Sequence, residues 1–171
     1  MKPNMKRIFT ILFCLVFTAS LQAGMFGSDS AIQFHIAKDP RKWTQPLMQG
    51  EVAVFVPKGD SVEAWKEMVS IQVAITQESL RSYVDTWKAA LLKADSKIDI
   101  NEEAIGDDSI IVTYTSADQT RIQRFIKGKD GVYMLAYQVR PKFKKDEIFK
   151  IWDSIIRTAT LIRSNNDQFA S

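Results

Sequence analysis

Apolar and polar residues alternate along much of this chain, and the alternation gives way twice to helical spacing. Ile32, Phe34 and Ile36 fall on one face of residues 31–37, which predicts a strand closed by Asp39-Pro40. Trp43, Pro46 and Leu47 read as a connecting loop. Val52, Val54 and Val56 repeat the alternation over residues 51–56, before the turn signal Pro57-Lys58-Gly59-Asp60. Ser61 is placed to cap one helical turn reaching Trp65. The clearest strand is 68–75, with Val69, Ile71, Val73 and Ile75 pointing one way and Ser70, Gln72 and Ala74 the other. From 77 to 94 the period changes: Leu80, Tyr83, Val84, Trp87, Leu91 and Ala94 share one helical face, with Thr76 as the expected N-cap.

Ile98 and Ile100 begin another short strand, closed by Gly106-Asp107-Asp108. Residues 109–115, 120–127 and 132–140 predict three strands joined by short polar turns, hence antiparallel. Pro141 stops the last of them. Residues 146–159 predict a second helix, with Ile148, Ile151, Trp152, Ile155 and Ala159 inward and Asp146 and Glu147 suiting the dipole of its first turn. The pattern is that of one α+β domain over residues 31–163, an antiparallel β-sheet of about six to seven strands flanked by two main helices. Residues 164–171 form a polar tail.

The N-terminus follows a different logic. Lys2, Lys6 and Arg7 precede an apolar run from Ile8 to Phe17 broken only by Thr10, and Ser20-Leu21-Gln22-Ala23 ends that region with a small residue, Ala23, at the position a signal peptidase cuts after. That layout predicts a signal peptide over 1–23, cleaved after Ala23, with 24–30 as a flexible leader. A membrane span needs roughly 18 or more apolar residues, more than this run holds. Cys14 sits inside the run rather than just after the cleavage point, which speaks against lipidation. The basic start is of the Gram-negative type, so the expected location is the periplasm or beyond.

Processing changes the chemistry on offer. The net charge of +3 and the single cysteine both reside in the first 23 residues. The remainder has 20 basic and 20 acidic side chains, no thiol and one histidine, His35. Zinc favours His and Cys ligands, so no metal centre is expected, and no cofactor-binding loop is written in the few glycines. A Ser-His pair would have to use His35, placed on the polar face of its strand, and no G-x-S-x-G turn is present. Glu102 and Glu103 point to opposite faces and make a poor catalytic pair. The composition thus argues against an enzyme.

The charge is unevenly spread. Residues 24–120 hold 9 basic and 15 acidic side chains, and residues 121–163 hold 11 and 4. Arg121, Arg124, Lys127, Lys129, Arg140, Lys142, Lys144 and Lys145 would attract an anionic partner if they converge. The alternative is a solvated hairpin edge guarded by lysines. Trp87 and Trp152 belong to the core, whereas Trp43 and Trp65, near turns, can serve either as lids or as contact platforms.

A strand ending in Pro57-x-Gly59, then Trp65, then Met68-Val69 and Gln72 on the next strand, resembles small exported bacterial proteins of the PsbP-like fold, a group that includes the DcrB-type periplasmic proteins. The resemblance implies an antiparallel sheet sandwiched between helices (α/β/α) and a non-enzymatic accessory role. It carries over no catalytic residue; Pro57, Gly59 and Trp65 transfer as structural positions. Many such proteins are lipoproteins, and the missing cysteine separates this chain from them. The expectation is an exported, monomeric, non-catalytic domain without cofactor, whose partner is a protein or anionic surface rather than nucleic acid, held by Arg121, Arg124, Arg140, Lys142, Lys144 and Lys145. Two alternatives are a carrier of a small apolar ligand or lipid, and a secreted virulence-associated factor of a host-associated bacterium.

Overall fold

A computed structural model describes residues 20–24, 30–36, 39–44, 47–49 and 52–163. Residues 1–19 of the predicted signal peptide, 25–29 of the leader and the tail 164–171 lie outside the described residues. In chain order the elements are β1 (Ser20–Gly24), β2 (Ser30–His35), β3 (Leu47–Gln49), β4 (Val52–Phe55), β5 (Glu67–Ile75), α1 (Leu80–Ala94), β6 (Asp99–Ala104), β7 (Ser109–Thr115), β8 (Thr120–Lys127), β9 (Gly131–Val139), a 3₁₀ turn (Pro141–Phe143), α2 (Asp146–Thr158) and β10 (Thr160–Arg163).

Seven strands form one antiparallel sheet in the order β3-β4-β5-β9-β8-β7-β6. The alternation seen in the sequence assigns the two faces. Val69, Ile71, Val73, Ile122, Ile126, Tyr133, Leu135, Tyr137 and Val139 face α2, whose Trp152, Ile155 and Ile156 close that core. Val112, Phe125, Val132 and Met134 face α1, whose Leu80 and Val84 are buried against them. β9 is the central strand, so all nine of its residues are buried. That is why its sequence runs almost continuously apolar instead of alternating with polar residues. The α/β/α sandwich follows from one sheet with two apolar faces and two amphipathic helices to cover them.

Three features depart from the sequence expectation. The strand at 31–37 is β2, and it joins a separate small sheet with β1 and β10 rather than the main one. Its Ile32 and Phe34 pack into the α2-side core. Leu47 belongs to the short edge strand β3 rather than to a loop. The N-cap of α1 is Ser79, whose side chain accepts from the Ser82 amide at 3.2 Å; Thr76 instead accepts from the amide of Glu78 and organises the turn before the helix. The expected cleavage position falls within β1, where Ala23 pairs with Ile32. Cleavage there would remove Ser20–Ala23 from the small sheet and leave β2 paired with β10.

Gly131 opens β9 opposite Ile75, and a Cβ at that position would lie 2.2 Å from the Ala74 carbonyl oxygen. The neighbour is backbone of the paired strand, which cannot swing aside as the end of a flexible side chain can. Gly131→Ala is therefore expected to lower unfolding free energy by about 2 kcal/mol, the usual scale for overpacking. Urea denaturation reads this directly; an unchanged midpoint would show that the strands can part here.

Candidate functional site: the basic, aromatic end of the sheet

β5 begins where β9 ends, with Glu67 opposite Val139, and the Arg140 amide donates to the Lys66 carbonyl at 2.9 Å to extend the ladder by one residue. Pro141 then starts the 3₁₀ turn, closed by the Phe143 amide on the Arg140 carbonyl at 2.9 Å, and the chain enters α2. This reversal gathers cations over aromatic rings. The Arg140 guanidinium carbon lies 4.9 Å from the Trp65 ring centroid. Lys66 Nζ and Lys142 Nζ lie 5.8 and 6.0 Å from Phe143, and Lys144 Nζ lies 5.0 Å from Phe149. The three rings are partly exposed, and Arg140, Lys142, Lys144 and Lys145 are exposed. Each cation–π contact contributes about 0.5–1 kcal/mol at such sites, enough to bias a long side chain toward one place. Asp60 pairs with Lys66 at 3.1 Å and Asp146 with Lys144 at 3.6 Å. Among the described residues Arg140, Lys142 and Lys145 form no ion pair.

The structure divides the six basic residues singled out by sequence. Arg140, Lys142, Lys144 and Lys145 come together at this end. Arg124 does not: it is buried on the α2 face, where Nη1 donates to the carbonyls of Ile156, Arg157 and Ala159 at 3.2, 2.5 and 2.8 Å, and Nε to Ser109 Oγ at 2.6 Å. Burial and the neighbouring Arg157 charge push its guanidinium below its ordinary value. Its work is to close the C-terminus of α2, where carbonyls have no intrahelical donor. Arg121 lies on the opposite face and donates to Gln138 Oε1 at 3.0 Å. Lys127, from the same sequence run, is tied to the carbonyls of Thr76 and Glu78. Arg157 pairs with Glu103 and Asp153.

Pro57 and Gly59 shape the turn that leads to Trp65. The Asp60 amide donates to the Pro57 carbonyl at 2.9 Å, and Gly59 has φ +103°, a conformation that favours glycine. Trp65 is half-buried beside Val54, Val56 and Val62, so it both lids a small apolar cluster and carries Arg140 on its face.

A polar centre that the sequence reading passed over lies on the α2 side. Asp39, read only as a strand stop, is fully buried at its side chain. Oδ1 accepts from the Arg41 amide and Nε, both at 2.9 Å. Oδ2 accepts from Arg41 Nη2 at 2.8 Å, Trp43 Nε1 at 3.2 Å and Trp152 Nε1 at 2.8 Å. Arg41 Nη1 also reaches Glu67 Oε2 at 2.5 Å, and the Tyr137 hydroxyl donates to the same oxygen at 2.6 Å. Burial opposes ionisation of Asp39, but the donors from Arg41 and Trp152 outweigh it and hold the carboxyl below its ordinary value. Burial and the bond to Glu67 push the Tyr137 phenol well above its usual range. The Tyr137 ring stacks on Trp152 with centroids 5.1 Å apart. Both oxygens of Asp39 are saturated and sealed, so the cluster ties the 39–43 segment to the sheet and α2 and leaves no oxygen free to receive a substrate proton. The signal missed in sequence was the spacing Asp39-x-Arg41-x-Trp43, a carboxylate with two donors at alternating positions.

His35 is exposed. Among the described residues no three His, Cys, Asp or Glu side chains converge to hold a metal ion, and no helix is long and apolar enough to cross a membrane.

This arrangement, a central antiparallel sheet between two helices, is a PsbP-like fold. Among solved structures the chain is similar to cyanobacterial PsbP (CyanoP) from Synechocystis sp. PCC 6803, with a TM-score of 0.55 over 86% of this chain and 95% of that one. The two share 8% sequence identity, so the likeness is one of fold. No protein-family model matches the chain, and no curated protein matches it in sequence.

Proposed function

We propose that this chain is an exported, non-catalytic accessory domain that holds an acidic macromolecular partner at the end formed by Trp65, Lys66, Arg140, Lys142, Phe143, Lys144 and Lys145. The observation that carries the reading is the set of exposed cations fixed over partly exposed rings at one end of the sheet. Such a surface offers charge for long-range attraction and aromatic area for contact once water leaves. The PsbP-like fold supports an accessory rather than an enzymatic role. The signal-like N-terminus supports export.

The test is charge reversal. Lys142→Glu, Lys144→Glu and Lys145→Glu together should reduce recovery of the partner in pull-downs from the native host at least tenfold while the melting temperature stays within about 2 °C, because all three side chains are exposed. Undiminished recovery would end the proposal. The carrier alternative has less to stand on. The crevice among Phe34, Trp43, Phe55 and Trp152 leaves no room for a water molecule. An open groove of about 440 Å³ beside Leu47, Met48, Val56 and Val62 is shared with the acidic Asp60 and Glu63.

A further inference from the structure

The main sheet has two edges, and only one is guarded. At the β6 edge Glu102 is held by Arg81 and Lys88, and Glu103 by Arg157, so charges line that strand. Charged edges discourage a further strand from adding. The β3 edge, Leu47-Met48-Gln49, carries no charged residue. Leu47 and Met48 are 49% and 39% exposed, two of the four exposed large apolar side chains among the described residues. They lie opposite Val54 and Ala53 of β4, and so on opposite faces of the sheet. Among the described residues no strand pairs with the outer side of β3. A strand added there would meet backbone donors and acceptors along one side and an apolar side chain on each face.

The groove of about 440 Å³ lies beside this edge. Its apolar part is Leu47, Met48, Val56 and Val62, its charged part is Asp60 and Glu63, and no basic residue lines it. Asp60 is already paired with Lys66 at 3.1 Å. Glu63 is exposed and forms no ion pair among the described residues. The negative charge selects the occupant. A second copy pairing through its own β3 brings the same acidic patch from both sides of a two-fold axis and supplies no cation. An apolar small molecule would leave Glu63 unanswered. A strand that carries a basic residue answers it.

We infer that the β3 edge is a docking site for an extended segment of a partner protein, with apolar or β-branched residues flanked by lysine or arginine. The segment adds to the main sheet as an eighth strand, outside β3. Main-chain hydrogen bonds hold it, and its alternating side chains set the register. Those on one face cover Leu47, those on the other cover Met48, and a flanking cation reaches Glu63. β3 is three residues long, about 10 Å at the rise of a strand, so the contact is small and the complex transient. The site differs in kind from the basic end: it takes a basic segment where the other takes an acidic partner. It stands whether or not that reading holds.

The probe is the peptide acetyl-Lys-Val-Thr-Val-Thr-Lys-amide, titrated into the isotopically labelled full chain and read from amide NMR shifts. Shifts are expected over residues 47–49 and 60–63. The same peptide with Glu in place of both Lys should bind about fivefold more weakly, the scale of one exposed ion pair. Methylating alternate backbone nitrogens of the lysine peptide should abolish binding in one of the two alternating patterns, because only every second amide faces β3. Leu47→Lys with Met48→Lys, which guards this edge with charge, should lose the peptide while the melting temperature stays within about 2 °C, since both side chains are exposed. Glu63→Lys should reverse the preference toward the Glu peptide, and it decides alone should the double variant fail to fold. Absent shifts, shifts centred elsewhere on the chain, equal binding of the Glu peptide, or an unchanged preference in Glu63→Lys would overturn the proposal. A dimer in sedimentation velocity that the double lysine variant dissolves would assign the edge to a second copy and overturn it as well.

Discussion

Asp39→Ala is expected to lower unfolding free energy by about 3–5 kcal/mol, the scale for breaking a buried ion pair from one side. The alanine removes the acceptor for three Arg41 N–H groups and for both indole N–H groups of Trp43 and Trp152. Trp152 is buried at the centre of the α2-side core, so its orphaned N–H has no water to turn to. Arg41 is 25% exposed at its side chain and recovers part of its loss through Glu67 and solvent, which sets the estimate toward the lower end. Urea denaturation should show a lower midpoint at unchanged slope. Adding Arg41→Met should restore part of the loss, since the unpaired cation goes with it. A drop below about 1 kcal/mol would mean that the network is not what anchors the 39–43 segment.

The same residue gives the protein an acid limit. The folded carboxyl titrates below its ordinary value of 3.8. Its contribution is therefore complete above that value and is lost as pH falls through the lower, folded value. The stability gap between the original chain and Asp39→Asn should accordingly be constant near neutrality and narrow only below about pH 4. A gap that closes between pH 5 and 7 would point to another group.

Arg124→Met is expected to lower stability by about 3 kcal/mol. Hydrogen bonds to charged groups contribute about 1.5–3 kcal/mol each, and the variant removes the Arg124 donor from the carbonyls of Arg157 and Ala159 and leaves that of Ile156 with the Ala159 amide. Amide exchange should accelerate first in the last turn of α2. Pull-down of partner per folded molecule should remain as in the original chain, because Arg124 faces the core. This separates Arg124 from Lys142 and its neighbours, whose reversal acts on binding and spares stability. A loss of binding at full stability would restore Arg124 to the partner surface.

Arg121 and Arg124 show what was legible in the chain. Residues separated by an odd number along a strand point to opposite faces. Ile122 and Ile126 mark the even positions of β8 as a core face, which places Arg124 there and Arg121 on the other side. Grouping cations by closeness in sequence hides that distinction, and strand parity exposes it. Lys142, Lys144 and Lys145 were legible as a cluster because a 3₁₀ turn and a helix start keep sequence neighbours together in space. The carbonyl acceptors for Arg124 were not legible, since they lie more than 30 residues away at the C-terminal end of α2. Likewise nothing local in Asp39-Pro40 says that Trp152 will donate to it from 113 positions along the chain.

The sequence by itself determined the periods, and with them the α+β class, the hairpin order of β7, β8 and β9, and the two helix faces. It also determined that the only cysteine and the net positive charge lie in the first 23 residues. Those properties are local: they depend on spacing, on turn length and on counting. Only the tertiary structure decided that residues 30–35 leave the main sheet, that a sealed Asp39 knits the 39–43 segment to α2, and that the basic stretch divides into Arg124 buried on the α2 face, Arg121 on the α1 face and an exposed end. These outcomes hinge on which strands become neighbours and on which cations find an acceptor once water is excluded. Both are settled by contacts between residues far apart in the chain.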